Sequence, residues 1–302
     1  MAAFNMILSR ITRKFPGSTL LLFEVNPEEW HKWSADSSGE PSLKTLRSQC
    51  VTQAQIESEV YQNWCAEMKQ VPRYSRKQWE YIYVLEALRQ AGHLVPGQRG
   101  LGFAVGTEPV AAVLANYGAH VIATDLPAEH ANAEGWQRTG QHAATLQQLN
   151  SHGICDPARF AERVQFTPIN MQNIPREFDG QFDFVWSCCV LEHLGTLDSG
   201  LQFIENSLRC LKPGGIAVHT TEYCVNSNTK TINRSNTVLY RRQDLERFRD
   251  RIRSQDHQID LNFHLGGARW DRLVSLPPYQ GPALRMYVRP FITTSIGLLI
   301  RC

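Results

Sequence analysis

The sequence predicts an α/β fold, a doubly wound and mostly parallel sheet with helices on both faces. Three observations predict it. From about residue 99 to 221, apolar runs of strand length alternate with helical stretches, and alternation of this kind argues for a parallel sheet covered on both sides. The first run passes through a glycine-bearing turn, "GFAVGTEP", into a helix. Such a strand–turn–helix brings backbone closest to a ligand in open sheets. The next run, "HVIATD", ends in an acid, Asp125.

The elements follow in chain order. A polar break, "SADSSGEPS", closes an N-terminal arm, and the pattern is helical from 43 to about 91. Within it, "RKQWEYIYVLEALRQAG" places Trp79, Ile82, Tyr83, Leu85 and Leu88 near one stripe, and Gly92 stops the helix. Residues 1–75 are therefore expected to form an arm with a mainly helical extension, and 76–302 the main domain. Strands are predicted at 99–105, 120–124, 164–168, 182–187 and 216–221, with helices at 110–117, 135–151 and 197–211. After Tyr223 comes a polar connection, "CVNSNTKTINRSNT", then a helix around 243–252. Two late strands, near 257–263 and 291–300, flank the Pro-rich "SLPPYQGP" and predict a closing hairpin.

Composition narrows the function classes. With 302 residues, 42% of them apolar, the chain can bury one good core plus an appendage. A net charge of +2 makes no case for nucleic acid or an anionic membrane. The basic runs at 10–14 and 240–242 are short and read as solvated faces. No stretch reaches the roughly 20 apolar residues of a membrane span. The opening segment is broken by Arg10, Arg13 and Lys14 and lacks a small-residue cleavage site, so no secretory signal is expected. None of the eight cysteines forms a C-x-x-C pair. Reduced thiols in a cytoplasmic protein, with no metal, are the expectation.

The turn itself discriminates between ligands. Gly100, Gly102 and Gly106 miss G-x-G-x-x-G because the last spacing is one residue too long, which argues against a dinucleotide. Thr107 is a candidate N-cap, with Pro109 in the first helical turn. Asp125 is placed to accept hydrogen bonds from both hydroxyls of an unphosphorylated ribose.

Three further segments sharpen the choice: "INM" at 169–171, "FDFVWSCCVLEHL" at 182–194 and "LRCLKPGGIAVHTTE" at 208–222. With residues 102–125 they resemble, in order and spacing, the signature segments of class I S-adenosylmethionine (SAM) methyltransferases, over about 94–223. The resemblance implies a Rossmann-like sheet of seven strands, SAM as methyl donor and S-adenosylhomocysteine as product. Counting back from Asp125, the family's first-strand acid falls on Gly102 and its three glycines on Ala104, Gly106 and Glu108. The chain thus departs from the pattern at the acid and at the third glycine, where Glu108 stands either to meet the ligand's ammonium group or as a helix-start acid favoured by the dipole. On the same resemblance Gly102, Phe103, Ala104 and Gly106 form the turn, and Asp125 and Leu126 meet the ribose. Asn170 and Met171 border the adenine, and Ser187 and Cys188 lie beside the sulfonium.

Methyl transfer from a sulfonium needs alignment and exclusion of water, and a hydroxyl or amine acceptor also needs a base. Candidates past the carboxyl edge of the sheet are Glu222, His219 and His193. Glu222, one step nearer the strand end than Thr221, is placed first, and His193 is expected to cap a helix or bond backbone rather than act as base. Tyr74, Trp79 and Tyr223 are candidates for the acceptor wall. The amides of the connection, Asn226, Asn228, Asn233 and Asn236, suit a small hydroxylated or saccharide acceptor. A nucleic-acid acceptor lacks support, because there is neither a basic stripe nor an Asn/Asp-Pro-Pro-aromatic tetrapeptide. Two rival readings are a non-catalytic SAM-fold binding protein, suggested by the missing acid and glycine, and an NAD-dependent oxidoreductase.

Overall fold

The computed structural model describes residues 9–15, 18–127, 145–279 and 281–302. Among these residues lie thirteen strands. They are β1 (Ser9–Phe15), β2 (Ser18–Glu24), β3 (Ser48–Cys50), β4 (Arg99–Gly102), β5 (His120–Asp125), β6 (Val164–Pro168) and β7 (Phe182–Cys188). The rest are β8 (Leu211–Cys224), β9 (Gln258–Ile259), β10 (Leu261–Asn262), β11 (Leu273–Ser275), β12 (Arg285–Val288) and β13 (Phe291–Arg301). The centre is parallel, with β4 between β5 and β7, β6 outside β5, and β8 outside β7. The chain winds outward in both directions from β4. The loops after β4 and β7 therefore diverge and leave a crevice at the strands' carboxyl ends.

β13 joins β8 antiparallel, from Thr293↔Cys224 to Arg301↔Ile216. The sheet does not stop there. Its order is β1-β2-β11-β12-β13-β8-β7-β4-β5-β6, with β3, β9 and β10 off this path. The seven-stranded expectation is therefore too small, and the N-terminal segment is not mainly helical. It opens with the β1–β2 antiparallel pair, and β2 docks on β11. Among the described residues before the helix at Arg76–Gln90, only Pro27–Ser34, Gln53–Ile56 and Glu59–Glu67 are α-helical. The first sheet strands thus lie on the amino side of residue 75, and their partners lie near the carboxyl end. The closing hairpin is β12–β13, and of 257–263, the range expected to pair with 291–300, only β9 does so, antiparallel at Ile300↔Ile259 and Arg301↔Gln258. The former range yields only the two-residue strands β9 and β10.

The parallel core falls where the apolar runs predict it. β4 ends at Gly102 rather than 105 because the chain already turns at Phe103, and β8 runs longer than 216–221. Helices at Val110–Asn116, Leu197–Leu208 and Arg242–Arg253 match three of the predicted ones. The helix expected at 135–151 lies outside the described residues up to 144; its end, Leu146–Asn150, is a 3₁₀ turn. Alternation along β7 sends Phe184 and Trp186 to the layer under the Arg76–Gln90 helix and Val185 to the opposite layer with Phe103 and Phe203. Glycine on β4 makes this possible. A Cβ on Gly102 would come within 2.4 Å of the Trp186 ring. No helix among the described residues is long and apolar enough to cross a membrane.

Candidate active site

The turn after β4 is pinned from both sides. Phe103 N donates to Trp186 O at 2.9 Å and Val105 N to Thr124 O at 3.0 Å. Thr124 Oγ1 donates to Gly102 O at 2.9 Å. Ala104 and Gly106, the positions assigned to the first two glycines, both have left-handed φ, 48° and 52°. That conformation costs little for glycine and more for alanine. Asp125 closes the turn: its Oδ2 accepts from Gly106 N at 3.2 Å and its Oδ1 from Leu126 N at 2.8 Å. The following helix begins at Val110 with Pro109 as its N-cap, so Thr107 is not the cap expected of it.

Beneath this turn opens a cavity of about 320 Å³, within the range of small-molecule sites. Ala104, Gly106 and Glu108 form one wall, Asp125 and Leu126 the next, and Asn170 and Met171 the far end. Cys188 and Cys189 at the end of β7 face them. His193, Gly195 and Asn236 close the side toward the polar connection, and Lys77 and Tyr81 close it from the Arg76–Gln90 helix.

The helix Arg76–Gln90 starts cleanly because Ser75 accepts from Gln78 N. Its first turn carries charge into the interior. Lys77 Nζ donates to Cys188 O at 3.0 Å and lies 3.4 Å from Glu108 Oε1 and 3.3 Å from Glu80 Oε2. Burial alone would lower the Lys77 ammonium; Glu80, Tyr81 and Glu108 outweigh it and hold it charged. Burial pushes the Glu108 carboxyl up to about 8, against the pull of Lys77 and with a further push from Glu80.

Behind the cavity lies a second polar cluster. Glu222, 4% exposed, meets Arg76 Nη1 at 2.5 Å and accepts from Thr293 Oγ1 at 2.6 Å. Cys189 Sγ donates to Glu192 Oε1 at 2.7 Å and lies 3.5 Å from Glu222 Oε1. Ligand atoms of Cys189, Glu192 and Glu222 lie within 4.8 Å of one another, a spacing open to a cation. The guanidinium of Arg76 already faces Glu222 and lies 3.6 Å from the Cys189 sulfur. All eight cysteines are free thiols. Burial, followed by Glu192, raises the Cys189 thiol well above its ordinary range, which leaves it a donor rather than a nucleophile.

The structure brings together Ala104, Gly106, Glu108, Asp125, Leu126, Asn170, Met171, Cys188 and His193 around one cavity. Other expected site residues stand elsewhere. Gly102 packs under Trp186, and Phe103 is buried edge-on against Phe203. Ser187 Oγ and His219 Nδ1 are 2.8 Å apart, and Ser207 lies at the other ring nitrogen. His219 is thus sealed inside the sheet's helical layer, where burial holds its pKa down to about 3 and keeps it neutral. Tyr74 stacks on Trp270, the Trp79 indole donates to Gln55, and Tyr223 stacks on Phe263. None of these three borders the cavity.

Sequence reasoning missed Lys77, Tyr81 and Cys189. The signal for the first two was a pair of polar side chains one helical turn apart beside the apolar stripe. Of the four connection amides, Asn226 and Asn228 bond backbone at Ile292 N and Gln243 N, and Asn236 alone borders the cavity.

Residues 101–219 match the family model described as a methyltransferase domain. A sequence comparison with curated proteins gives no match. Among solved structures, the chain is similar to magnesium protoporphyrin IX methyltransferase from Synechocystis PCC 6803 with bound S-adenosylhomocysteine. Identity is 11%, coverage 91% of this chain and 93% of that one, and the TM-score 0.44. It is also similar to Haemonchus contortus phosphoethanolamine N-methyltransferase 2 in complex with S-adenosyl-L-methionine, at 17% identity, 75% and 56% coverage and a TM-score of 0.43. A third is 1,6-didemethyltoxoflavin-N1-methyltransferase from Burkholderia thailandensis, at 16% identity, 71% and 77% coverage and a TM-score of 0.39. The donor set of the cavity fits SAM: a carboxylate for the ribose, and a buried acid beside an ammonium for the amino-acid end. Ordered motifs, a crevice at the switch point and the matching domain model fall on the same strands, and residues 101–219 form a methyltransferase domain.

Proposed function

We propose that the enzyme methylates a hydroxyl or amine of a small, polar acceptor, and that His193 takes the acceptor's proton. The observation that carries this reading is the fixed orientation of His193 in the cavity wall. Its Nδ1 lies 2.6 Å from the carbonyl oxygen of Asn236. A carbonyl only accepts, so Nδ1 bears the proton and Nε2 is the basic nitrogen. Glu192 Oε1 lies 3.8 Å from Nε2. SAM supplies an electrophilic methyl on its sulfonium. The acceptor's lone pair forms the new bond to that carbon as the carbon–sulfur bond breaks, and the acceptor's proton passes to Nε2.

In this reading Asp125 and Leu126 hold the ribose, Asn170 and Met171 border the adenine, and Ala104 and Gly106 admit the backbone approach. Glu222 and Arg76 hold the floor behind Cys189 rather than the proton, and no metal is invoked, because Arg76 supplies the positive charge at Glu222. The connection that carries Asn236 supports a hydroxylated acceptor, a saccharide among them. The eight free thiols support a reducing, cytoplasmic setting.

S-adenosylhomocysteine formation across a panel of sugars, small alcohols and amines tests the acceptor class. With a responding acceptor, His193→Asn should lower turnover by roughly 10²–10⁴-fold, the usual worth of a general base. Affinity for S-adenosylhomocysteine should stay unchanged. Full turnover in that variant removes His193 from the reaction.

A further inference from the structure

We infer that the acceptor is an amine, and that Glu192, buried one thiol away from the cavity, selects it over an alcohol of the same shape. The inference deepens the acceptor reading above and rests on it. Among the described residues, the other buried glutamates each face a lysine or arginine. Glu80 and Glu222 meet Arg76, Glu108 meets Lys77, and Glu86 meets Arg89. Glu192 is fully buried and pairs with neither kind of residue. Its Oε1 accepts from Cys189 Sγ at 2.7 Å and its Oε2 from Thr221 Oγ1 at 2.9 Å, both neutral donors. Two accepting oxygens suit the ionised carboxylate. His193 Nε2, 3.8 Å from Oε1, is charged only when protonated. A protonated Nε2 cannot take a proton, so in the state that receives the acceptor the carboxylate is uncompensated. Such a buried charge is costly.

The excess of negative charge lies on the acceptor side. Glu80, Glu108, Glu192 and Glu222 share Arg76 and Lys77, and even with Glu108 protonated three carboxylates face two cations. The adjacent thiols divide the cavity between them. The Cys188 thiol bonds Glu108 on the donor wall. The Cys189 thiol bonds Glu192 on the side of Val190, His193 and Asn236. At low dielectric a carboxylate acts across one neutral side chain. An ammonium entering beside Cys189 therefore meets an unanswered negative charge, and an alcohol brings no cation to it. An aliphatic amine arrives as R–NH3⁺ near neutral pH. His193 Nε2 removes one proton, the freed lone pair forms the nitrogen–methyl bond, and the electron pair of the carbon–sulfur bond stays on sulfur. The positive charge lost from sulfur reappears on the product ammonium, still beside Glu192.

Amine and alcohol pairs of one skeleton test this, among them ethanolamine with ethylene glycol and glucosamine with glucose, read by S-adenosylhomocysteine formation. Wild type should turn over amines. For a responding amine, Glu192→Gln should raise KM about 10- to 100-fold and change kcat about threefold or less. Its affinity for S-adenosylhomocysteine should stay within about twofold. Glu192→Asp, which keeps the charge, should restore most of the KM. A measurement on wild type alone serves if these variants do not fold: tetramethylammonium should inhibit in competition with the amine, and neutral tert-butanol should not. A loss confined to kcat makes Glu192 a support for His193 and overturns the inference. An unchanged KM, or a wild type that methylates only the alcohols, overturns it too. So does inhibition by tetramethylammonium in competition with SAM alone, which assigns the charge to the sulfonium, and so does inhibition by neither compound. If wild type methylates neither class, the hydroxyl-or-amine reading fails first, and this inference falls with it.

Discussion

Asp125 carries two duties that the sequence presents as one. It ends β5 as the expected ribose acceptor, and its two oxygens also bind Gly106 N and Leu126 N. The same carboxylate that would meet the ligand therefore shapes the turn around it. Asp125→Ala should weaken S-adenosylhomocysteine binding by about 1.5–3 kcal/mol, the worth of hydrogen bonds to a charged group. Calorimetry on a variant shown to be folded checks this, and unchanged affinity would remove Asp125 from the ribose site. Ala104 tells a related story in backbone rather than charge. Its φ of 48° fits the glycine position assigned by counting back from Asp125, although the residue is not glycine.

At the scale of elements, the Arg76–Gln90 helix and β8 are held together by buried charge. Glu222 on β8 pairs with Arg76 at the helix start, and Glu80 one turn on accepts from Ser295 on β13 and lies 3.4 Å from Arg76. Arg241 and Arg242, further along the chain, are not its partners. Those instead bind Asp244 and Glu246 within their own helix. Removing one member of a buried pair leaves an uncompensated charge, at a cost of about 3–5 kcal/mol when nothing else compensates. Arg76 keeps Glu80, so Glu222→Gln should cost less, about 1–3 kcal/mol in urea unfolding. It should leave S-adenosylhomocysteine affinity within about twofold. A variant of wild-type stability that loses all turnover would instead return Glu222 to the chemistry.

Over the whole molecule, the two ends of the chain are tied by a second buried pair far from the cavity. Arg285 and Asp271 are both fully buried, 3.6 Å apart. Arg285 also donates to Val51 O, Leu265 O and Thr294 Oγ1, and its guanidinium lies over the Trp30 ring. Asp271 accepts from Gln53 N. The N-terminal segment and the late strands thus share one polar knot inside the extended sheet. Burial raises the Asp271 carboxyl to about 6 against the pull of Arg285. Asp271→Ala should cost about 3–5 kcal/mol, since it strands the arginine. Chemical unfolding measures it, and a loss under about 1 kcal/mol would show that the backbone acceptors alone satisfy Arg285.

The parallel core, the crevice and much of the cavity's lining were legible in the sequence, because each is a local pattern. Apolar runs set β4 to β8, a glycine-bearing turn sets the backbone approach, and Asp125 is fixed by its place at a strand end. The added strands β1, β2, β11 and β12 were not legible. β11 and β12 span only three and four residues and have little periodicity of their own, and the pairing that attaches β1 and β2 to the sheet joins residues about 250 apart, as in Leu273↔Glu24. The sequence ranks Glu222 ahead of His219 and His193 as the base, because it lies nearest the strand end. His193, His219 and Glu222 all lie near strand ends, yet burial silences one histidine, an arginine occupies the glutamate, and a carbonyl orients the remaining histidine toward the cavity. Chain-local chemistry determined the fold's centre and the donor. Which charges face the ligand and which neutralise one another was decided only by tertiary packing, because ion pairing and desolvation depend on neighbours distant in sequence.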